Sequence, residues 1–143
     1  MNMTRDKTLR KGVFQHVEAE IFAYPYRKRE IARLREELLT PYQVVDSNVG
    51  GGKGNLPGDP TGKKAITLAS NAKLHNLERV ADAIDEVYNR LPAVKQEFIR
   101  VKYWTTPQRL TTIGICENLG ISDRTFRRWR QQFIVAVAEI LGW

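Results

Sequence analysis

Three observations predict an all-α protein. Apolar residues return every three or four positions along both halves of the chain, the spacing of one helix face. Six of the ten glycines fall in a single block, residues 46–63, that separates those halves. The stretch LTTIGICENLGISDRTFRRW, residues 110–129, has the layout of two helices joined by a sharp glycine turn, a helix-turn-helix.

Residues 1–45 read as an N-terminal helical region. Phe14, Val17 and Ile21, then Ile31, Leu34 and Leu38, mark apolar stripes, with Arg, Lys and Glu on the other faces. Pro25, in AYPYRKRE, has no N–H to donate and its ring crowds the carbonyl four residues back, so a break into a helical pair is expected there. Residues 46–63, DSNVGGGKGNLPGDPTGK, read as a Gly/Pro-rich linker or loop. A C-terminal domain, residues 64–143, follows. In it Leu74, Leu77, Ala81, Ile84, Val87 and Leu91 lie on the stripe of one long amphipathic helix, ended by Pro92.

Near the end of that domain the first helix of the motif spans residues 111–119 and buries Ile115 and Leu119, with the small Cys116 where the second helix crosses. Gly120 supplies the positive φ of a sharp turn, Ile121 plugs the corner and Ser122 caps the next helix. On that helix Phe126, Trp129 and Phe133 share the inward face. Asp123, Arg124, Thr125, Arg127, Arg128 and Gln131 are left facing outward.

Charge points the same way. The chain carries 23 Lys and Arg against 16 Asp and Glu, a net charge of +7, and its pI is about 9.8. The surplus sits at the ends: nine basic against six acidic residues in 1–45, six against six in 46–91, and eight against four in 92–143. Arg124, Arg127, Arg128 and Arg130 crowd one short helix opposite Asp123 alone. Such a field favours an anionic partner, nucleic acid first, an acidic protein or membrane surface after it. A charge run is ordinarily just a solvated face. Here a Gly turn, a small residue four before it, a Ser cap and apolar residues six and nine after the Gly coincide, and a helix so built suits the DNA major groove, where Arg contacts guanine bidentately. The expected DNA-binding set is Ser122, Asp123, Arg124, Thr125, Arg127, Arg128, Arg130 and Gln131, with Arg124 and Arg127 on bases and Arg128 and Arg130 on phosphates.

Other chemistries find little support. GGGKGNLPGDPTGKK lacks the G-x-x-x-x-G-K-[ST] phosphate-loop pattern and no strand precedes it. One cysteine, Cys116, and two histidines, His16 and His75, make neither an internal disulfide nor a closed zinc site. Glu36 and Glu37, like Asp85 and Glu86, are neighbours on helices whose side chains diverge, so no acid/base dyad forms. No enzyme activity, cofactor or metal is expected. No apolar run approaches the roughly 20 residues of a membrane span, and MNMTRDKTLRKG lacks the apolar core of a secretory signal, so a cytoplasmic protein is expected.

LPAVKQEFIRVKYWTTPQRLTTIGICENLGISDRTFRRWRQQF, residues 91–133, resembles region 4 of bacterial sigma factors in its Leu-Pro opening, a helix ending near Tyr103, its Leu-Thr start and its helix-turn-helix. KGVFQHVEAEIFAYP, NVGGGKGNLPGDPTGKKA, LERVADAIDEVYNRLP, VKYW and RTFRRWR together resemble the RinA/ArpU-type phage transcriptional regulators over nearly the whole length. That resemblance implies a phage or prophage regulator that activates late genes by binding promoter DNA in the bacterial host cytoplasm. Carried onto this sequence, it makes the helix from Ser122 to Gln131 the reader, with Arg124, Arg127 and Arg128 its main contacts. The expected partners are double-stranded DNA, host RNA polymerase and, through the apolar stripes of residues 1–45 or of Leu74 to Leu91, further copies of the chain. The rival reading is a phage small terminase subunit recognising packaging-site DNA.

Overall fold

The computed structural model describes residues 8–39 and 60–143. Residues 1–7, 40–45 and the expected linker at 46–59 lie outside the described residues. Five helices form among the described residues, with no strand: α1 (Lys11–Leu39), α2 (Pro60–Asn89), α3 (Ala93–Tyr103), α4 (Thr112–Leu119) and α5 (Asp123–Leu141). The chain is therefore all-α. The second long helix begins at Pro60, so residues 60–63, expected in the linker, belong to it. Proline is tolerated at a helix's first position because that N–H is unpaired anyway and the fixed φ is already helical.

The expected break at Pro25 does not occur: α1 runs unbroken for 29 residues. Proline deprives the Ile21 carbonyl of its usual donor four residues on. The indole Nε1 of Trp104 donates to that carbonyl instead, at 2.9 Å. Tyr24 stacks on the same indole at 4.7 Å between centroids, and Tyr88 of α2 lies against it at 5.0 Å. A group that proline orphans is thus satisfied from the end of α3, and the helix continues.

The sequence stripes become one core. Val17 and Ile21 of α1, Ala83, Ile84 and Val87 of α2, Phe98, Ile99 and Tyr103 of α3, Ile115 and Cys116 of α4 and Phe126, Phe133, Ile134, Val137, Ala138 and Leu141 of α5 form a single buried cluster. Full burial of a side chain of this size contributes about 1.5–3 kcal/mol against leaving it exposed. Further along, Ile31 and Leu34 of α1 are buried as well, whereas Leu38 is half-buried. Ion pairs bridge α1 and α2, which run antiparallel: Lys28 to Asp85 at 3.1 Å, Arg35 to Glu78 at 2.8 Å and Glu30 to Lys73 at 2.9 Å. The Tyr24 hydroxyl also donates to Asp85. Gln96 Nε2 donates to the Tyr88 carbonyl at 3.0 Å and closes the corner between α2 and α3. Gln108 Nε2 covers two carbonyls at the C-terminal end of α3, those of Val101 at 2.7 Å and Lys102 at 3.2 Å.

Candidate nucleic-acid interface

The connection between α4 and α5 is built by local chemistry. Thr111 Oγ1 accepts from the Gly114 N–H at 3.1 Å and caps α4. Gly120 ends that helix at φ 65°, ψ 37°, a left-handed conformation that side chains with a Cβ disfavour. The Ile121 N–H then reaches back to the Cys116 carbonyl at 3.0 Å, and the Gly120 N–H to that of Glu117 at 3.3 Å, satisfying carbonyls the helix end would orphan. Ser122 is extended at φ −78°, ψ 160°, and its Oγ accepts from the Thr125 N–H at 3.1 Å, which starts α5 in a new direction. Ile115 and Cys116 are buried; Leu119 and Ile121 are half-buried against the core.

Helix α5 has two faces. Inward, Phe126 meets the Phe98 ring edge-on at 5.2 Å, and Phe133 is buried. Trp129 also faces the core but is only half-buried: it packs edge-on against Phe98 at 5.7 Å while Lys95 Nζ lies 5.7 Å from its ring centroid. Outward, Asp123, Arg124, Arg127, Arg128 and Gln131 are exposed, as is the cap Ser122; Thr125 is half-buried. Arg127 Nε lies 3.0 Å from Asp123 one turn earlier. Exposed pairs of this kind are worth little and open readily for a stronger anion.

Arg130 stands apart from the other three arginines. Its Nε and Nη2 grip the two carboxylate oxygens of Glu18 on α1, both at 2.6 Å, and its guanidinium lies 5.0 Å from the Phe14 ring centroid. The Tyr103 hydroxyl donates to the same carboxylate at 2.7 Å. Burial raises the Glu18 pKa, but the hydrogen bonds from Arg130 and Tyr103 outweigh it and hold the carboxyl below its ordinary value of 4.5. Burial and the Glu18 carboxylate together push the Tyr103 phenol far above its usual range. The pattern of α5 alone put Arg130 among the solvent-facing cations, because Glu18 lies 112 residues away and no local signal announces the pair.

A second residue beyond reach of local pattern is Lys102. Its ammonium sits 4.6 Å from the Tyr103 ring centroid, 5.3 Å from that of Phe22 and 5.3 Å from that of Phe126. Burial among these rings lowers its pKa, only partly offset by the Glu18 carboxylate. Lys102, Thr112, Asp123, Phe126, Arg127 and Arg130 line a cleft of about 320 Å³ between α3, α4 and α5. Three cations thus border one small space beside the first turns of α5.

Two comparisons bear on this arrangement. Residues 26–139 match the model of a family described as a protein of unknown function, DUF722. Over 141 residues the chain is 26% identical to the transcriptional activator RinA of Staphylococcus phage phi11, covering 98% of this chain and 99% of that protein. The chain belongs to this RinA-type family. No solved structure matches it. The matched region of this RinA-type chain takes in α1 from Tyr26 onward and all of α2, α3 and α4, and it reaches Glu139 in α5. Among the described residues no helix is long and apolar enough to cross a membrane.

Proposed function

We propose that this RinA-type protein is a phage or prophage regulator of transcription that binds specific double-stranded DNA with α5 as the recognition helix of a helix-turn-helix of sigma region 4 type. The observation that carries the reading is the division of α5: Phe126 and Phe133 lock one side into the core while Arg124, Arg127, Arg128 and Gln131 are exposed on the other. A rigid helix presenting guanidinium and amide donors from its first turns has the dimensions and chemistry of a major-groove reader. Similarity over nearly the full length to a protein named a transcriptional activator supports the regulatory role. Ser122, Asp123 and Thr125 set the start of the helix, Arg124 and Arg127 reach base edges, and Arg128 and Gln131 follow the groove wall. Arg130 acts mainly as a strut to α1, since Glu18 occupies its guanidinium. Late-gene promoters and host RNA polymerase complete the proposal.

Selection of bound duplexes from random sequence by the purified full chain, followed by placing the consensus on the parent phage genome, tests it. A consensus at a late promoter, with log affinity falling steeply against log salt through counterion release, is the expected result. A flat salt response sinks the DNA reading, and a consensus confined to a packaging site replaces promoter activation with a terminase role.

A further inference from the structure

Lys102 is a half-buried cation on the wall of that cleft. Three ring faces hold its ammonium, but ring faces do not replace oxygen acceptors, and among the described residues Lys102 has no ion pair. The two arginines beside it are engaged, Arg130 by Glu18 and Arg127 by Asp123. Of the three cations on the cleft they share, Lys102 alone is in no ion pair among the described residues, and the cleft opens beside the turn of α5 that carries Arg124 and Arg127. Thr112, at the first position of α4, adds an exposed hydroxyl to its rim.

We propose that this cleft seats one phosphate of the DNA backbone when α5 enters the groove, with Lys102 as the cation that meets it and Thr112 as a hydroxyl donor at its rim. The inference rests on the DNA-binding reading above and adds to it a contact from outside the helix-turn-helix. Arg127 is able to join by leaving its exposed pairing with Asp123, and the rings around Lys102 hold the ammonium ready in place. A contact of this kind fixes how deeply and in what register α5 lies in the groove, yet carries no sequence information. An acidic surface of a partner protein is the competing occupant, and it predicts that DNA binding is indifferent to Lys102.

The test uses the full chain and two fluorescent duplexes, one selected by the protein and one of random sequence, titrated at several salt concentrations. Lys102→Met keeps the stem among the rings and removes the charge; Lys102→Arg restores a cation. Thr112→Asp places a carboxylate at the rim, and because a carboxylate in the first turn of a helix is favourable, this variant folds whatever Lys102→Met does. Lys102→Met and Thr112→Asp are expected to weaken both duplexes by the same factor, roughly 3–10-fold, and Lys102→Met to reduce the salt slope by about 1, with Lys102→Arg near wild type. Wild-type affinity and slope in both Lys102→Met and Thr112→Asp overturn the inference while leaving DNA binding intact, as does a loss confined to the selected duplex. A wild-type chain that binds neither duplex overturns the DNA reading itself, and this inference with it.

Discussion

Glu18 and Arg130, 112 residues apart, form a two-pronged ion pair that ties α1 to the back of α5, with both Nε and Nη2 at 2.6 Å from the carboxylate. The pair is partly buried, the side chains retaining 16% and 35% of their exposure, so its hydrogen bonds are sheltered from competing water. Glu18→Gln is expected to cost about 1–3 kcal/mol in urea unfolding at neutral pH, because it leaves Arg130 without a countercharge and weakens the acceptor of the Tyr103 hydroxyl. The sign of the pH dependence follows from the lowered pKa. In the unfolded chain the carboxyl titrates at its ordinary value of 4.5, and in the folded one lower, so its stabilisation is complete above 4.5 and is lost as pH falls through the folded value. The gap between wild type and Glu18→Gln should therefore narrow below pH 4.5. A gap that stays constant to pH 2 contradicts the role given to the carboxylate.

Trp104 gives the second expectation. Its indole N–H serves the Ile21 carbonyl that Pro25 leaves without a helical donor. Trp104→Phe keeps an aromatic ring against Tyr24 and Tyr88 but removes the donor, and is expected to cost roughly 1–3 kcal/mol. Pro25→Ala returns an N–H to the helix. The double variant should lose less than the sum of its parts, since the alanine N–H serves the carbonyl that the phenylalanine cannot. Strict additivity in chemical unfolding would falsify the link.

Gly120 is needed for its backbone angle alone. A Cβ built on it meets nothing within 4 Å, so Gly120→Ala is strained only by φ 65°. The expected loss is about 1–2 kcal/mol, with Gly120→Asn milder because Asn visits the left-handed region more readily. Equal melting temperatures for Gly120→Ala and wild type would show that the turn relaxes into another conformation.

On DNA the arginines of α5 should separate. Arg124→Ala is expected to cost roughly 1–3 kcal/mol on the selected duplex and to relax preference at one base pair. Arg128→Ala should weaken every sequence alike if it meets phosphate. Arg130→Ala should chiefly lower stability, its guanidinium being committed to Glu18. Competition with single-base variants, beside thermal melts of each protein, sorts the three. Identical profiles for Arg124→Ala and Arg130→Ala would erase the distinction between reader and strut.

Removing α1 takes Val17 and Ile21, both fully buried, out of the core that also holds Ile134 and Phe98. We expect a fragment starting at Lys64 to lose cooperative melting, since the exposed apolar floor beneath α5 would have no cover. A sharp two-state melt of that fragment would instead give residues 64–143 a self-sufficient core and leave α1 for assembly or for polymerase.

The sequence by itself determined whatever is decided within a turn or two of chain. The helical periods of Val17, Ile21, Ile31 and Leu34 and of Ala81, Ile84 and Val87, the Gly120 turn, the Ser122 cap and the inward Phe126 and Phe133 all rest on local dihedrals and on the pitch of a helix. The exposed positions of Arg124, Arg127, Arg128 and Gln131 follow from the same pitch. Tertiary structure decided the rest, because a side chain or carbonyl whose partner lies scores of residues away carries no mark of it in its own neighbourhood. Pro25 looked like a helix breaker until Trp104 supplied the missing donor. Arg130 looked like its neighbours until Glu18 claimed it. Nothing in its own neighbourhood marks Lys102 for the place it takes between Phe22 and Phe126, which α1 and α5 bring together around it.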